Sequence, residues 1–205
     1  MDFFDRYPKR YDTWYDKNPV AYHSEIEVLR KALPARGKGL EVGVGTGRFA
    51  APLHIDVGVD ISLGMIRLAR QRGVDARLGW GEKLDFKNSM FDYVTLIVTL
   101  CFVHDPEKVI EEARRVLKKN GMLVVGIVDK DSFLGQAYQK KRSAFYKNAH
   151  FFNPKEVRAL LQDVGFNKFS YFQTLFTFPD KMVRVDEPLR GFGQGGFVVI
   201  KSKKA

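Results

Sequence analysis

The spacing of Tyr22, Ile26, Leu29 and Leu33 predicts a helix over residues 20–33, stopped by Pro34 and Gly37. Short apolar runs then predict strands over 39–42, 57–60, 74–78, 91–99 and 122–128. The fourth is apolar almost throughout, as expected of a central strand covered on both faces. Between these runs the pattern gives a short helix over 48–53, with Pro52 near its end. It also gives a helix over 63–72, with Ser62 as its cap, and one from Asp105-Pro106 to about Leu117. Further on, a basic helix is expected over 132–145, another from Asn153-Pro154 to Gly165, and strands over 166–178 and 196–201. Strands alternating with helices argue for an α/β fold with a mainly parallel sheet. No helical pattern separates the last two strands, which are therefore expected to be antiparallel neighbours. The linker of about twenty residues between them holds Pro179, Pro188 and Gly191 and is long enough to be a functional loop.

Composition narrows the class. The chain has 205 residues, 45% of them hydrophobic and 28% charged, a globular balance that argues against disorder. No run approaches the ~18–20 apolar residues of a membrane span. The first residues lack the basic-then-apolar order of a signal peptide, so a cytoplasmic protein is expected. Cys101 is the only cysteine, which excludes an intrachain disulfide and a four-cysteine zinc site. His23, His54 and His150 do not fall at metal-ligand spacing, and no metal is expected. The net charge of +10 is concentrated in residues 129–205. That is either a solvated basic face or an attraction to an anionic substrate or RNA.

The candidate chemistry begins at Leu40-Glu41-Val42-Gly43-Val44-Gly45-Thr46-Gly47-Arg48. A strand, a glycine turn and a following helix make a ligand cradle. A dinucleotide fingerprint would need glycines at 43, 45 and 48, but position 48 is Arg. Glu41 at the strand's exit would repel a pyrophosphate and suit an ammonium. Asp60, at the tip of the second strand, can accept hydrogen bonds from both hydroxyls of a ribose. A ligand with a ribose, an amino group and no pyrophosphate is implied, and S-adenosylmethionine meets all three requirements.

On these residues the chain resembles the class I S-adenosylmethionine-dependent methyltransferases of the small-molecule, ubiquinone/menaquinone methyltransferase-like type. The first motif of that family matches Glu41, Gly43, Gly45 and Gly47, and its ribose-binding acid matches Asp60. Ser89-Met90-Phe91-Asp92 and the stretch from Arg114 to Gly121 also match. Gly79-Trp80-Gly81-Glu82 departs from the family pattern, because Trp80 stands where an acid usually meets the adenine amino group. Trp80 either stacks or packs there, with backbone at Gly81 and Glu82 meeting the base.

The resemblance implies a Rossmann-like, doubly wound sheet of seven strands with helices on both faces and one antiparallel strand near the C-terminus. It implies a single methyltransferase domain over 1–205. Residues 1–36 form an arm and helix contributing to a lid, 37–128 the cofactor core, 129–165 a substrate-side cap, and 166–205 the last strands. It implies cofactor contacts at Tyr11, Ile61, Thr99 and Leu100 besides those above.

Methyl transfer asks mainly for alignment and exclusion of water. His104 is the candidate general base; the competing role is a loop hydrogen bond. Asp105 reads as a helix cap more than a base. Two segments are candidates to close over the acceptor. Residues 1–19 carry Phe3, Phe4, Tyr7, Tyr11, Trp14 and Tyr15, which would suit an aromatic or cationic acceptor. Residues 129–153 carry Lys140, Lys141 and Arg142, with Phe145, Tyr146 and Lys147, which would suit an anionic one. Transfer to a small molecule is the leading expectation. RNA methylation and non-catalytic cofactor binding are the alternatives, and the sequence leaves the oligomeric state open.

Overall fold

The computed structural model describes residues 2–141, 146 and 149–205. Its sheet has eight strands: β1 (Gly39–Val42), β2 (Val57–Asp60), β3 (Asp75–Leu78), β4 (Phe91–Ile97), β5 (Leu117–Val128), β6 (Phe166–Thr174), β7 (Leu189–Arg190) and β8 (Phe197–Lys204). They lie in the order β3-β2-β1-β4-β5-β8-β6-β7. β1 pairs in parallel with both β2 and β4, and β2–β3 and β4–β5 are parallel too. β8 runs antiparallel between β5 and β6, so the last two long strands are antiparallel neighbours as the pattern indicated. The expected count of seven is corrected to eight. The extra strand, β7, is a two-residue edge pairing with Phe172 and Gln173 inside the long linker.

Three helices precede the sheet: α1 (Asp2–Arg6), α2 (Pro8–Lys17) and α3 (Pro19–Ala32). The others are α4 (Leu63–Gln71), α5 (Pro106–Val116), α6 (Phe133–Lys140) and α7 (Pro154–Asp163). Local chemistry starts several of them. The Ser62 hydroxyl accepts from the Met65 amide, and the Asp105 carboxylate from Lys108 N. Asn153 and Glu156 form a reciprocal capping box at α7. Helix and sheet faces bury two large apolar clusters. One contains Leu40, Phe91, Leu96, Ile110, Leu117 and Leu161; the other holds Tyr15, Leu29, Phe49, Leu134, Phe172 and Phe197.

Several boundaries differ from the pattern-based ones. The helix expected over 48–53 is a series of turns. Ala51 N and Leu53 N do bond back to Gly47 and Phe49, but Pro52 has no N–H to continue the ladder. β4 stops at Ile97, because Val98 takes a φ of 53° and turns the chain; Leu175, at 59°, ends β6 in the same way. The basic helix reaches Lys140, short of 145; Arg142, Ser143, Ala144 and Phe145 lie outside the described residues. Among the described residues no helix is long and apolar enough to cross a membrane.

Candidate functional site

β1 stands between β2 on one side and β4 on the other, and the chain crosses over in opposite directions from it. Ligand crevices of open α/β sheets form at the carboxyl ends of strands at such a point. A cavity of about 440 Å³ opens there. Its floor is Gly43, Gly45 and Thr99, one wall is Asp60, Ile61 and Met65, and another is Trp80, Gly81 and Glu82. Phe4, Tyr11 and Phe102 lie over it.

The glycine loop is shaped by backbone conformation. Gly43 has a φ of 76°, and a Cβ built there would stand 2.5 Å from the Thr99 side chain. Thr99 in turn donates from Oγ1 to the Val42 carbonyl, which fixes β4 against the loop. At Gly45 a Cβ would meet nothing within 4 Å, so the loop leaves open space on its cavity side. Asp60 faces this space. Its Oδ2 accepts from Gly45 N at 2.8 Å and its Oδ1 from Ser62 N at 2.9 Å. A carboxylate has about four lone-pair sites, so the group keeps acceptor capacity beyond these amides. Burial raises the Asp60 pKa, against the opposing pull of the amides of Ser62, Gly45 and Ile61.

Not every sequence-predicted residue reaches the cavity. Tyr11, Gly43, Gly45, Asp60, Ile61, Trp80, Gly81, Glu82, Thr99 and His104 line it; Glu41, Gly47 and Leu100 do not. Leu100 is buried beside a small void of about 30 Å³ behind Thr99 and Phe102. Gly47 is packed on Ala69 and Val74. Glu41 is buried in β1, with Oε2 unpaired, and its pKa is raised well above the ordinary range by burial and by the charge of Asp60. Trp80 is 54% exposed at the rim. His104 is exposed there too, its backbone N–H donating to Glu82 Oε1. Asp105 caps α5. Lys140 and Lys141 are exposed and line neither cavity.

The N-terminal arm is held down by charge. Asp12 of α2 accepts from Thr46 Oγ1, Arg48 Nε and Nη2, and Arg72 Nη2, all within 2.6–2.9 Å. Burial would raise the Asp12 pKa, but the hydrogen bonds from Arg48, Thr46 and Arg72 outweigh it and hold the carboxyl below its ordinary value. Asp5 of α1 accepts from Ser62 Oγ and Gly64 N at the start of α4. These contacts set Phe4 edge-on to Tyr11 at 5.7 Å and to Phe102 at 5.0 Å. Tyr11 and Tyr15 join through their hydroxyls at 2.8 Å. Phe102 and Val103 lie in the loop that carries Thr99 and His104, and Met65 on α4; none of the three stands out singly in the sequence. Their only signal was position, next to a strand end or in the first turn of a helix.

Comparison with known proteins bears on this geometry. Residues 40–125 match the family model described as a methyltransferase domain. An uncharacterized protein of Methanocaldococcus jannaschii is 47% identical, covering all of both chains. A crystal structure from Thermotoga maritima, named as a SAM-dependent methyltransferase and possible histamine N-methyltransferase, superposes with a TM-score of 0.96; it is 45% identical over 98% of each chain. A demethylmenaquinone methyltransferase of Renibacterium salmoninarum is 37% identical over 42% of this chain and 39% of its own length. By this breadth and identity of match, the chain belongs to the class I S-adenosylmethionine-dependent methyltransferases.

Proposed function

We propose that this enzyme transfers its methyl group to a small-molecule acceptor enclosed between the glycine loop and the N-terminal arm. The observation that carries the reading is the roof. Phe4, Tyr11 and Phe102 cover the cavity, and the Asp12 and Asp5 contacts bind α2 and α1 to the cofactor-side loops. A half-open, largely apolar cavity of this volume suits a small ligand. A polymer would need an open groove.

The residues fit S-adenosylmethionine. Open space at Gly45 admits the ligand, and Asp60 retains acceptor capacity for ribose hydroxyls. Ile61, Trp80, Gly81 and Glu82 line the side of the cavity that would receive the base. Glu41, buried behind the loop with Oε2 unpaired and its pKa raised, supports the loop from the β1 side rather than meeting the ligand. Thr99 would border the methionine end, with Leu100 and Gly47 supporting the loops from behind. The cofactor supplies a methyl group already activated by its sulfonium. The protein's part is to align the acceptor's nucleophile with that carbon and to keep water out. In this reading His104, at the rim, would take the proton from a nucleophile that must shed one.

The test supplies labelled cofactor with fractionated metabolites and, separately, with total RNA. Label in a small molecule is the expected result. Label in RNA alone overturns the reading, and binding without transfer to either identifies a non-catalytic protein. Asp60→Ala should weaken the demethylated cofactor by about 1–3 kcal/mol in calorimetry, through lost charge-assisted hydrogen bonds. Unchanged affinity removes Asp60 from the site.

A further inference from the structure

Helix α3 turns one acid into the interior. Glu25 is 5% exposed, on the same buried side as Ala21, Ser24 and Leu29. Ser24 is accounted for: it donates to the Val20 carbonyl and accepts from Asp186 N. Glu25 has no hydrogen bond or ion pair among the described residues, and burial alone pushes its pKa up to about 8. Five tyrosines stand within reach of its charge: Tyr11 and Tyr15 on α2, Tyr22 on α3, Tyr138 on α6, and Tyr146. Each phenol is itself pushed up, first by burial, so they stay neutral around the acid.

Two of these tyrosines, Tyr11 and Tyr146, reach the cavities on the cofactor side, while Glu25 itself lines neither. Tyr11 lines the cavity and also carries the hydroxyl bonded to Tyr15. Val98, Thr99 and Phe102 wall both the cavity and the smaller void, which Tyr146 lines from the other side. The rings of Tyr138 and Tyr146 stack at 4.7 Å.

We propose that Glu25 and the tyrosines around it form a cation-binding subsite for the methyl acceptor, which is therefore an amine carrying a protonated nitrogen. The inference rests on the small-molecule reading above and narrows it. A buried carboxyl without a partner is costly whether charged or neutral, because its desolvation is not offset. A cationic ligand supplies the missing charge and donors. Isolated buried acids with shifted titration are groups that ligand binding can recruit. In the free protein at neutral pH Glu25 holds its proton; a bound cation favours the carboxylate, so binding releases that proton. The other groups acting on the enclosure do so at its edges. Asp60 and Cys101 act on Tyr11, Arg48, Arg72 and Asp12 on Tyr22, and Asp180 on Tyr138, and none of them pairs with Glu25.

The experiment uses the full-length protein saturated with demethylated cofactor. Histamine and 2-phenylethylamine are the probes; 2-phenylethanol and 3-phenylpropionate are the neutral and anionic counterparts. Calorimetry in buffers of different ionisation enthalpy should show an amine binding with release of a proton. Glu25→Gln should weaken that binding at least tenfold and abolish proton release, while the affinity for the demethylated cofactor stays unchanged and reports an intact fold. Unaltered amine affinity in Glu25→Gln, equal binding of the alcohol, or no amine binding at all overturns the proposal. In the labelling screen, transfer only to neutral or anionic small molecules defeats the cationic subsite alone. Transfer only to RNA defeats it together with the small-molecule reading.

Discussion

Replacing Asp12 by Ala should undo the docking of the N-terminal arm. The carboxylate accepts four side-chain hydrogen bonds, one from Thr46, two from Arg48 and one from Arg72. Asp12 is 13% exposed, with Arg48 at 16% and Arg72 at 28%, so water screens the cluster only partly. Removing one partner of a buried pair costs roughly 3–5 kcal/mol, because the opposite charge is left unpaired. Here the loss is softened. Arg48 keeps Asp16, and Arg72 keeps the Thr46 carbonyl. About 2–3 kcal/mol is the expected cost, or a drop in Tm of roughly 4–12 °C for a chain of this size. The sign with pH follows from the lowered Asp12 pKa. Its contribution is present above the ordinary carboxylate range and is lost as pH falls through the lower folded value, so mutant and wild type should converge in acid. Urea melts at neutral pH and near pH 3, with limited proteolysis of residues 1–19, measure both effects. A double-mutant cycle with Arg48→Ala should return a coupling above about 1 kcal/mol. A cost below that value at neutral pH, with proteolysis of the arm unchanged, refutes the clamp.

Three other outcomes follow from the same geometry. Gly43→Ala should cost about 1–2 kcal/mol for the left-handed conformation alone, with a further penalty from Thr99 at 2.5 Å; wild-type stability and cofactor affinity in this variant would show that the loop can shift. Glu41 and Glu25 have raised folded pKa values, so each stabilises the protein most fully below the ordinary carboxylate pKa and loses that contribution as pH rises. Melts from pH 5 to 8 should therefore show Glu41→Gln gaining on wild type by up to about 1.4 kcal/mol per pH unit, and parallel pH profiles would contradict a buried, protonated Glu41. Deleting residues 1–19 should abolish turnover while weakening cofactor binding modestly, since only Tyr11 and Phe4 of the lining residues are lost; normal kcat in the truncated enzyme would make the arm packing rather than a roof.

What the sequence determined by itself is what depends on neighbours in the chain. Apolar runs located β1, β2, β4 and the 122–128 part of β5, because a strand covered on both faces needs apolar side chains at nearly every position. Ser62, Asp105 and Asn153 marked helix starts, because a cap bonds to amides two or three residues away. The glycine spacing and Asp60 were legible for the same reason: the loop's conformation is set by its own residues. Tertiary structure decided what depends on partners far along the chain. β7 has no pattern of its own and exists because Leu189 and Arg190 meet an open edge of β6. Glu41 carries the sequence signature of a ligand contact, yet packing put it behind the loop rather than on the cavity wall. Asp12 finds its partners 34 to 60 residues away, so no local spacing could announce the clamp. Glu25 sits three residues after Tyr22 and one before Ile26 on a stripe that reads as core. An acid at such a position looks like the edge of a solvated face until α2, β6 and β8 pack against α3, because burial belongs to the assembled elements and not to the helix that carries the residue.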